Sequence, residues 1–390
     1  MMLALAWFSY FMYGLMLYSV SPLVTPILAE LDISYSQMGI IMGAWPLPYI
    51  LVAILGGALV DRLGIRWSIF FGLAIIALSA GLRFFASGFT ALFLCVALFG
   101  LGAPMISIGN PKTIALWFRG KERSMAVGIY MTGAWVGAAI CISMMNSVIM
   151  PLAGNSWRTA YLGFGILGLI LAILWWLLAR DVKTTTADEG NERFDRVFRG
   201  IISSRSVQFV LVMGLLSFFS VHGFANWLPN ILESGGLSPS IAGLAASLPT
   251  WVGVPTIIIV PRFVPQQLRT RFIAIISGLV AVAQLGVVQL SGGPMIAGLV
   301  LYGMANACIL PFLVLILMEL PDIDPRYLGS VTGVFFCISE LGAFCGPFLM
   351  GAIKDMAGGF FAGVALLAGL SVIRLVIALR VRTGSAAGTG

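Results

Sequence analysis

The chain has 390 residues, of which 60% are hydrophobic and only 9% are charged. Because a soluble domain carries about 25% charged residues, this composition excludes a water-soluble surface and predicts a polytopic membrane protein that contacts lipid. The net charge of +7 does not indicate a nucleic-acid-binding protein, since the basic residues fall in loops on one side of the predicted membrane.

Twelve apolar segments are each long enough to cross a bilayer, which takes about 20 residues. They lie at roughly 4–27, 37–60, 67–87, 91–115, 124–149, 159–179, 207–230, 240–260, 271–290, 293–317, 328–352 and 359–380. The chain is therefore predicted to be an all-α membrane protein with twelve transmembrane helices. Glycine and proline are frequent within the segments, as is usual for membrane helices.

One long polar linker, at 181–205, divides the chain into two six-helix bundles, at 1–180 and 206–382. A short tail at 383–390 is expected to be flexible. Within the linker, apolar residues from Phe194 to Ile202 follow helical spacing between arginines. This pattern predicts a short amphipathic helix that lies on the membrane surface.

Most of the 22 Lys and Arg residues lie in loops on the side of the two termini, whereas Arg83, Arg158 and Lys354 lie on the opposite side. The positive-inside rule then places both termini in the cytoplasm, in a plasma or inner membrane. The first apolar run is too long for a signal peptide, and no basic region precedes it.

The loop between the second and third segments reads Gly57-Ala-Leu-Val-Asp61-Arg62-Leu-Gly64-Ile-Arg66. This run resembles the signature G-x-L-x-D-R-x-G-x-R of the major facilitator superfamily, at the same place in the chain. The resemblance implies a transporter whose loop holds the cytoplasmic gate shut in the outward-open state. A chance charged loop in an unrelated polytopic protein is the alternative.

The two halves are decayed repeats of each other. The run from Gly128 to Gly137 aligns with the run from Gly333 to Gly342 at an offset of 205, and the same offset places Gln266 opposite Asp61. Two six-helix halves related along the membrane normal are the architecture of this superfamily, so the resemblance covers nearly the whole chain.

Glu340 is the acid nearest to mid-depth, twelve residues into the eleventh segment and flanked by apolar residues. An ionisable residue inside a membrane is a functional candidate by default. The resemblance implies a substrate site near the midplane between the halves, lined by segments 1, 4, 7 and 10, with contributions from 2, 5, 8 and 11. Glu340 is predicted to bind substrate or couple transport to protons; a structural acid hydrogen-bonded between helices is the alternative.

Three more polar side chains are candidates for substrate or proton binding. His222, the only histidine, lies midway along the seventh segment, with Asn226 one turn further on the same face. Lys112 could bind an anion from the fourth segment, or could extend to the membrane surface. The run from Trp227 to Ser238 weakly resembles the cyanate and nitroimidazole-type branch of the superfamily.

Aromatic and amide groups complete the candidate set, because aromatic rings with a polar tip suit an amphipathic solute. The site is predicted to include Asn306, Tyr13, Trp45, Tyr49 and Trp135. Arg83 and Arg374 lie nearer to helix ends and are interpreted as membrane anchors.

The sequence therefore predicts a secondary transporter that moves a small organic solute by alternating access. Protons are the predicted coupling ion, and an organic anion is the favoured substrate. We expect a monomer with no cofactor or metal, since no cysteine or histidine spacing indicates a metal site. No nucleophile–base pair indicates an enzyme.

The alternatives are a multidrug or metabolite exporter of the same superfamily, or a non-transporting sensor on the same fold. Drug antiporters of the superfamily carry a Gly-Pro pair in the fifth segment, where this chain has Gly133-Ala134.

Overall fold

The computed structural model describes residues 1–180, 204–320 and 328–381, without the side chains at 54–58, 61, 121, 124 and 328–330. Its helices are Met2–Leu17, Val24–Leu31, Tyr35–Met42, Pro46–Arg83, Phe89–Trp117, Gly120–Met144, Met150–Leu152, Trp157–Leu178, Arg205–Ser234, Pro239–Ile259, Arg269–Gln289, Gly292–Met318, Leu328–Ala357 and Phe361–Arg380. They supply twelve apolar helical spans, numbered 1 to 12 in chain order, as the sequence predicts. The predicted linker helix and the tail lie outside the described residues.

Not every span coincides with a single helix. Span 1 contains a break, because a 3-10 turn at Ser21–Leu23 separates its first helix from Val24–Leu31. Spans 2 and 3 share the helix Pro46–Arg83, which is interrupted at Gly64. Gly64 has φ +77°, a left-handed conformation that glycine adopts without steric cost. The chain can therefore reverse direction within the predicted signature loop.

The two halves pack their helices in the same way. In the first half, a Cβ on Gly137 of span 5 would lie 2.1 Å from the carbonyl oxygen of Phe11 in span 1. In the second half, a Cβ on Gly342 of span 11 would lie 2.2 Å from the carbonyl oxygen of Leu215 in span 7. Gly137 and Gly342 are aligned by the repeat offset, so the internal repeat corresponds to a repeated close helix contact.

The arginines predicted to be membrane anchors are instead buried inside the bundles. Arg83 is 1% exposed, donates to Ser19 Oγ at 3.1 Å, and lies over the ring of Tyr161 at 4.7 Å. Arg374 is fully buried and donates from Nε to Ser277 Oγ at 2.9 Å and from Nη1 to Ser217 Oγ at 3.3 Å. The prediction failed because hydroxyls on neighbouring spans, which sequence position does not reveal, provide partners inside the bundle.

The two halves contact each other at the end of the bundle opposite the termini. We call this end the far end. Ser21 of span 1 donates from Oγ to the carbonyl oxygen of Asn226 in span 7 at 2.7 Å. One turn further along, Thr25 donates to Glu233 Oε2 at 2.5 Å and accepts from Asn230 Nδ2 at 2.9 Å. These contacts close the far end between spans 1 and 7.

A second set of far-end contacts joins span 2 to span 11. Asp355, near the end of span 11, accepts hydrogen bonds from the backbone amides of Tyr35 at 3.1 Å and Ser36 at 2.7 Å. It also accepts from Ser36 Oγ. A carboxylate at a helix N-terminus satisfies amides that have no partner inside the helix, and it interacts favourably with the helix dipole. The structure is therefore one in which the far end is closed.

Candidate functional site

A cavity of about 190 Å³ lies between the two halves. It is lined by residues from spans 1, 5, 7, 8 and 10, each taken from the middle part of its span. The lining residues are Gly14, Leu17, Tyr18, Ala134, Trp135, Ala138, Ile142, Val221, Ala225, Leu228, Ala246, Pro249, Thr250, Tyr302, Gly303, Asn306 and Ala307. Its position between the bundles matches the predicted location of a substrate site in this architecture.

The cavity wall is mainly apolar, but it carries two polar side chains with unused hydrogen-bonding capacity. The Tyr302 hydroxyl and Asn306 Oδ1 are buried and have no hydrogen-bond partner among the described residues. Trp135 contributes an aromatic wall from the first half. Since buried polar groups are nearly always hydrogen-bonded, these two groups are available to a ligand.

A cluster of aromatic rings surrounds His222, which is 7% exposed. Tyr18 stacks nearly parallel to the imidazole, with ring centroids 6.3 Å apart, while Trp45 and Phe218 lie 5.8 Å and 5.7 Å away. Nδ1 of His222 has no hydrogen-bond partner in the described ranges. Asn226, one turn further along the helix, donates from Nδ2 to the His222 carbonyl oxygen at 2.9 Å.

Glu340 is 6% exposed, and its Oε2 has no hydrogen-bond partner within the described part of the chain. Tyr13 and Tyr18 of span 1 and Tyr49 of span 2 are close enough to interact electrostatically with it. The Tyr49 hydroxyl is within 3.1 Å of Ser107 Oγ in span 4. Glu340 of the second half therefore faces phenol groups of the first half.

The candidate residues form two neighbouring groups rather than one. Trp135 and Asn306 line the cavity, whereas Glu340, His222, Trp45, Tyr13 and Tyr49 lie in the polar and aromatic cluster of spans 1, 2, 7 and 11. Tyr18 belongs to both groups, because it lines the cavity, stacks on His222 and interacts with Glu340. Tyr18 was not among the predicted site residues, and no signal in the sequence distinguishes it from the other tyrosines.

Lys112 lies away from both groups. Its Nζ is 3.5 Å from the carbonyl oxygen of Val60, at the end of the bundle that carries the termini. In the signature loop, Arg62 is exposed, and Arg66 donates from Nε to the Trp176 carbonyl oxygen at 2.7 Å. The side chains at Gly57 and Asp61 lie outside the described part, so the gating role of the loop stays a prediction.

Comparison with known proteins identifies the fold independently. Residues 6–347 match the family model of the Major Facilitator Superfamily. The chain is 26% identical to a hexuronate transporter of Bacillus subtilis (strain 168), covering 92% of this chain and 90% of the relative. It is also 26% identical to a 3-(3-hydroxy-phenyl)propionate transporter of Escherichia coli (strain K12), covering 87% and 85% respectively. A crystal structure of the nucleoside transporter NupG has the same fold, with a TM-score of 0.82 at 14% identity over 97% of this chain and 98% of that one.

Proposed function

The chain belongs to the Major Facilitator Superfamily, and we propose that it couples the movement of a small organic anion to that of protons. It is a multi-pass membrane protein and a secondary transporter of a small organic solute. Anionic cargo is supported by the names of two relatives, since hexuronate and hydroxyphenylpropionate both carry a carboxylate.

The observation that carries the proton coupling is the environment of Glu340. A carboxylate buried at membrane depth costs several kcal/mol unless a cation or hydrogen-bond donors compensate it. Oε2 of Glu340 has no such donor among the described residues. A proton bound at this oxygen removes the charge, so a protonated Glu340 can remain buried while the halves rock against each other.

Tyr18 provides the physical link between proton and substrate. Its ring lies between the cavity and His222, and its hydroxyl interacts electrostatically with Glu340. A ligand in the cavity that displaces this ring alters the surroundings of Glu340 as well. Binding of substrate and binding of a proton would then favour the same change of conformation, which is the requirement for coupling.

The closed far end supports the direction of access. We assign the far end to the outside and both termini to the cytoplasm, because most basic loop residues lie on the side of the termini. Transport then requires the hydrogen bonds of Ser21, Thr25 and Asp355 across the halves to break and reform in each cycle.

The proposal is tested with the full chain in proteoliposomes, with D-glucuronate and 3-(3-hydroxyphenyl)propionate as probes. We expect the native chain to accumulate at least one probe above the level reached in protein-free liposomes when the outside is more acidic. Glu340→Gln should lose this accumulation but keep exchange of labelled for unlabelled probe, because exchange needs no net proton movement. Glu122→Gln, which changes an exposed acid in the first turn of the helix Gly120–Met144, serves as the control. Accumulation by Glu340→Gln at the native rate would contradict the proposal.

A further inference from the structure

The wall of the cavity is poor in hydrogen-bonding groups. Of its residues, only Tyr18, Trp135, Thr250, Tyr302 and Asn306 carry a polar side-chain atom, and the remainder are aliphatic or glycine. A sugar acid presents several hydroxyl groups, each of which needs a partner when it leaves water. Each hydroxyl buried without one lowers the binding constant by about tenfold.

The shape and size of the cavity fit a flat, compact body. Tyr18 and Trp135 approach from the first half and Tyr302 from the second, so aromatic faces border the space from both bundles. Tyr302 is itself packed against Phe224, with ring centroids 4.7 Å apart. The volume of about 190 Å³ lies below the range of about 300–1,000 Å³ that is common for ligand pockets.

A positive charge lies close to the cavity. None of the residues that line the cavity is charged, but Arg374 of span 12 lies within electrostatic range of Tyr302. Arg374 also donates to Ser217, one helical turn before the lining residue Val221 on span 7. Arg374 is fully buried, and its hydrogen-bond partners in the described part of the chain are serine hydroxyls. Its Nη2 has no partner there. Since the described residues hold no ion pair to Arg374, we expect its charge to favour a negative charge in the cavity.

We propose that the cavity selects a compact aromatic monocarboxylate over a polyhydroxylated sugar acid, with Arg374 supplying the anion preference through Tyr302. This inference rests on the proposed function for the anionic class of the cargo, but not on proton coupling. The aromatic body would pack between Trp135 and Tyr302, and a ring hydroxyl would bond to the unpartnered amide oxygen of Asn306.

Binding is the appropriate measurement, because small aromatic acids cross lipid bilayers in their neutral form and obscure uptake. Isothermal titration calorimetry on the full chain in nanodiscs would compare benzoate, 3-hydroxybenzoate, neutral benzamide and D-galacturonate at one pH. We expect benzoate to bind at least tenfold more tightly than either benzamide or galacturonate. Stronger binding of galacturonate, or no binding of benzoate, would overturn the proposal.

Three variants test the roles of Arg374 and Asn306 separately. Arg374→Met removes the charge and leaves the hydroxyls of Ser217 and Ser277 without this donor, so its fold is checked by size-exclusion chromatography. We expect it to bind benzoate and benzamide within about threefold of each other. Arg374→Lys, which keeps the charge, should keep the native preference for benzoate. Asn306→Leu should remove the three- to tenfold advantage of 3-hydroxybenzoate over benzoate. A folded Arg374→Met that keeps the native preference for benzoate would refute the assigned role of Arg374.

The predicted binding preference of the cavity does not depend on proton coupling. Glu122→Gln, which changes an exposed acid that does not line the cavity, should retain the native order of affinities. If aromatic acids bind but the pH gradient drives no accumulation, the proton-coupling proposal fails and the substrate class stands. If accumulation occurs only with sugar acids, the substrate class fails and proton coupling stands.

Discussion

Removal of the Asp355 side chain is expected to open the far end. Asp355 accepts two backbone hydrogen bonds, from Tyr35 and Ser36, and a third from the Ser36 hydroxyl. All three donors belong to span 2 of the first half, whereas Asp355 belongs to span 11 of the second. The contact exists only while the far end is closed, so its loss destabilises that state alone.

The free energy lost on removal of the Asp355 side chain depends on how exposed its hydrogen bonds are to water. A hydrogen bond to a charged group contributes about 1.5–3 kcal/mol when it is protected from water. Asp355 is exposed, so water replaces much of what is lost, and we assign about 1–2 kcal/mol to the whole set. Asp355→Ala should therefore lower the ratio of far-end-closed to far-end-open molecules by about 5- to 30-fold.

Spin labels on Ala29 and Ser234 would report the change, since both residues are exposed near the far end and lie in different halves. In a chain without its native cysteines, double electron–electron resonance should show a larger long-distance population for Asp355→Ala. The matched control is Glu30→Ala, because Glu30 is an exposed far-end acid that pairs with Arg158 of its own half at 2.6 Å. An identical distance distribution in both variants would refute the reasoning.

Three further predictions concern other parts of the fold. Asp61→Asn should reduce transport at least tenfold while leaving binding of the probes intact, as the family resemblance implies; equal loss of both would indicate misfolding. Gly342→Leu should abolish monodisperse protein in size-exclusion chromatography, because its Cβ would lie 2.2 Å from the backbone oxygen of Leu215, whereas Gly369→Leu, with open space at that position, should be tolerated. Tyr49→Phe removes a hydrogen bond with span 4 and should lower the free energy of unfolding by about 0.5–1.5 kcal/mol, measured by thermal denaturation.

Sequence reasoning predicted the twelve spans because a membrane leaves the backbone few options. A lipid-facing segment must satisfy its own amides and carbonyls, so an apolar run of sufficient length becomes a helix. The same reasoning missed the break at Ser21–Leu23, because hydropathy gives no weight to Pro22, which cannot continue the hydrogen bonding of a helix. Hydropathy records which residues lie in the membrane, not where their helix bends.

The candidate site was only partly predictable. The position of a residue along a span indicates its depth in the membrane, and this depth identified Glu340 and His222 as candidate site residues. Both are buried between aromatic groups. It does not give the neighbours on other spans. Arg374 was therefore interpreted as an anchor although serine hydroxyls from spans 7 and 9 surround it, and Lys112 was considered for a site from which its side chain points away.

The far-end contact and the predicted gating loop suggest how one sequence maintains two states of similar free energy. Asp355 lies near the end of span 11 and binds the first amides of span 2. The signature loop places Asp61 after span 2, where the family resemblance implies a contact with the start of span 11. Each acid would thus stabilise a helix N-terminus of the opposite half in only one state. Because the Asp355 contact is exposed and contributes about 1–2 kcal/mol, it does not lock the far end closed, and a bound ligand or proton can shift the balance.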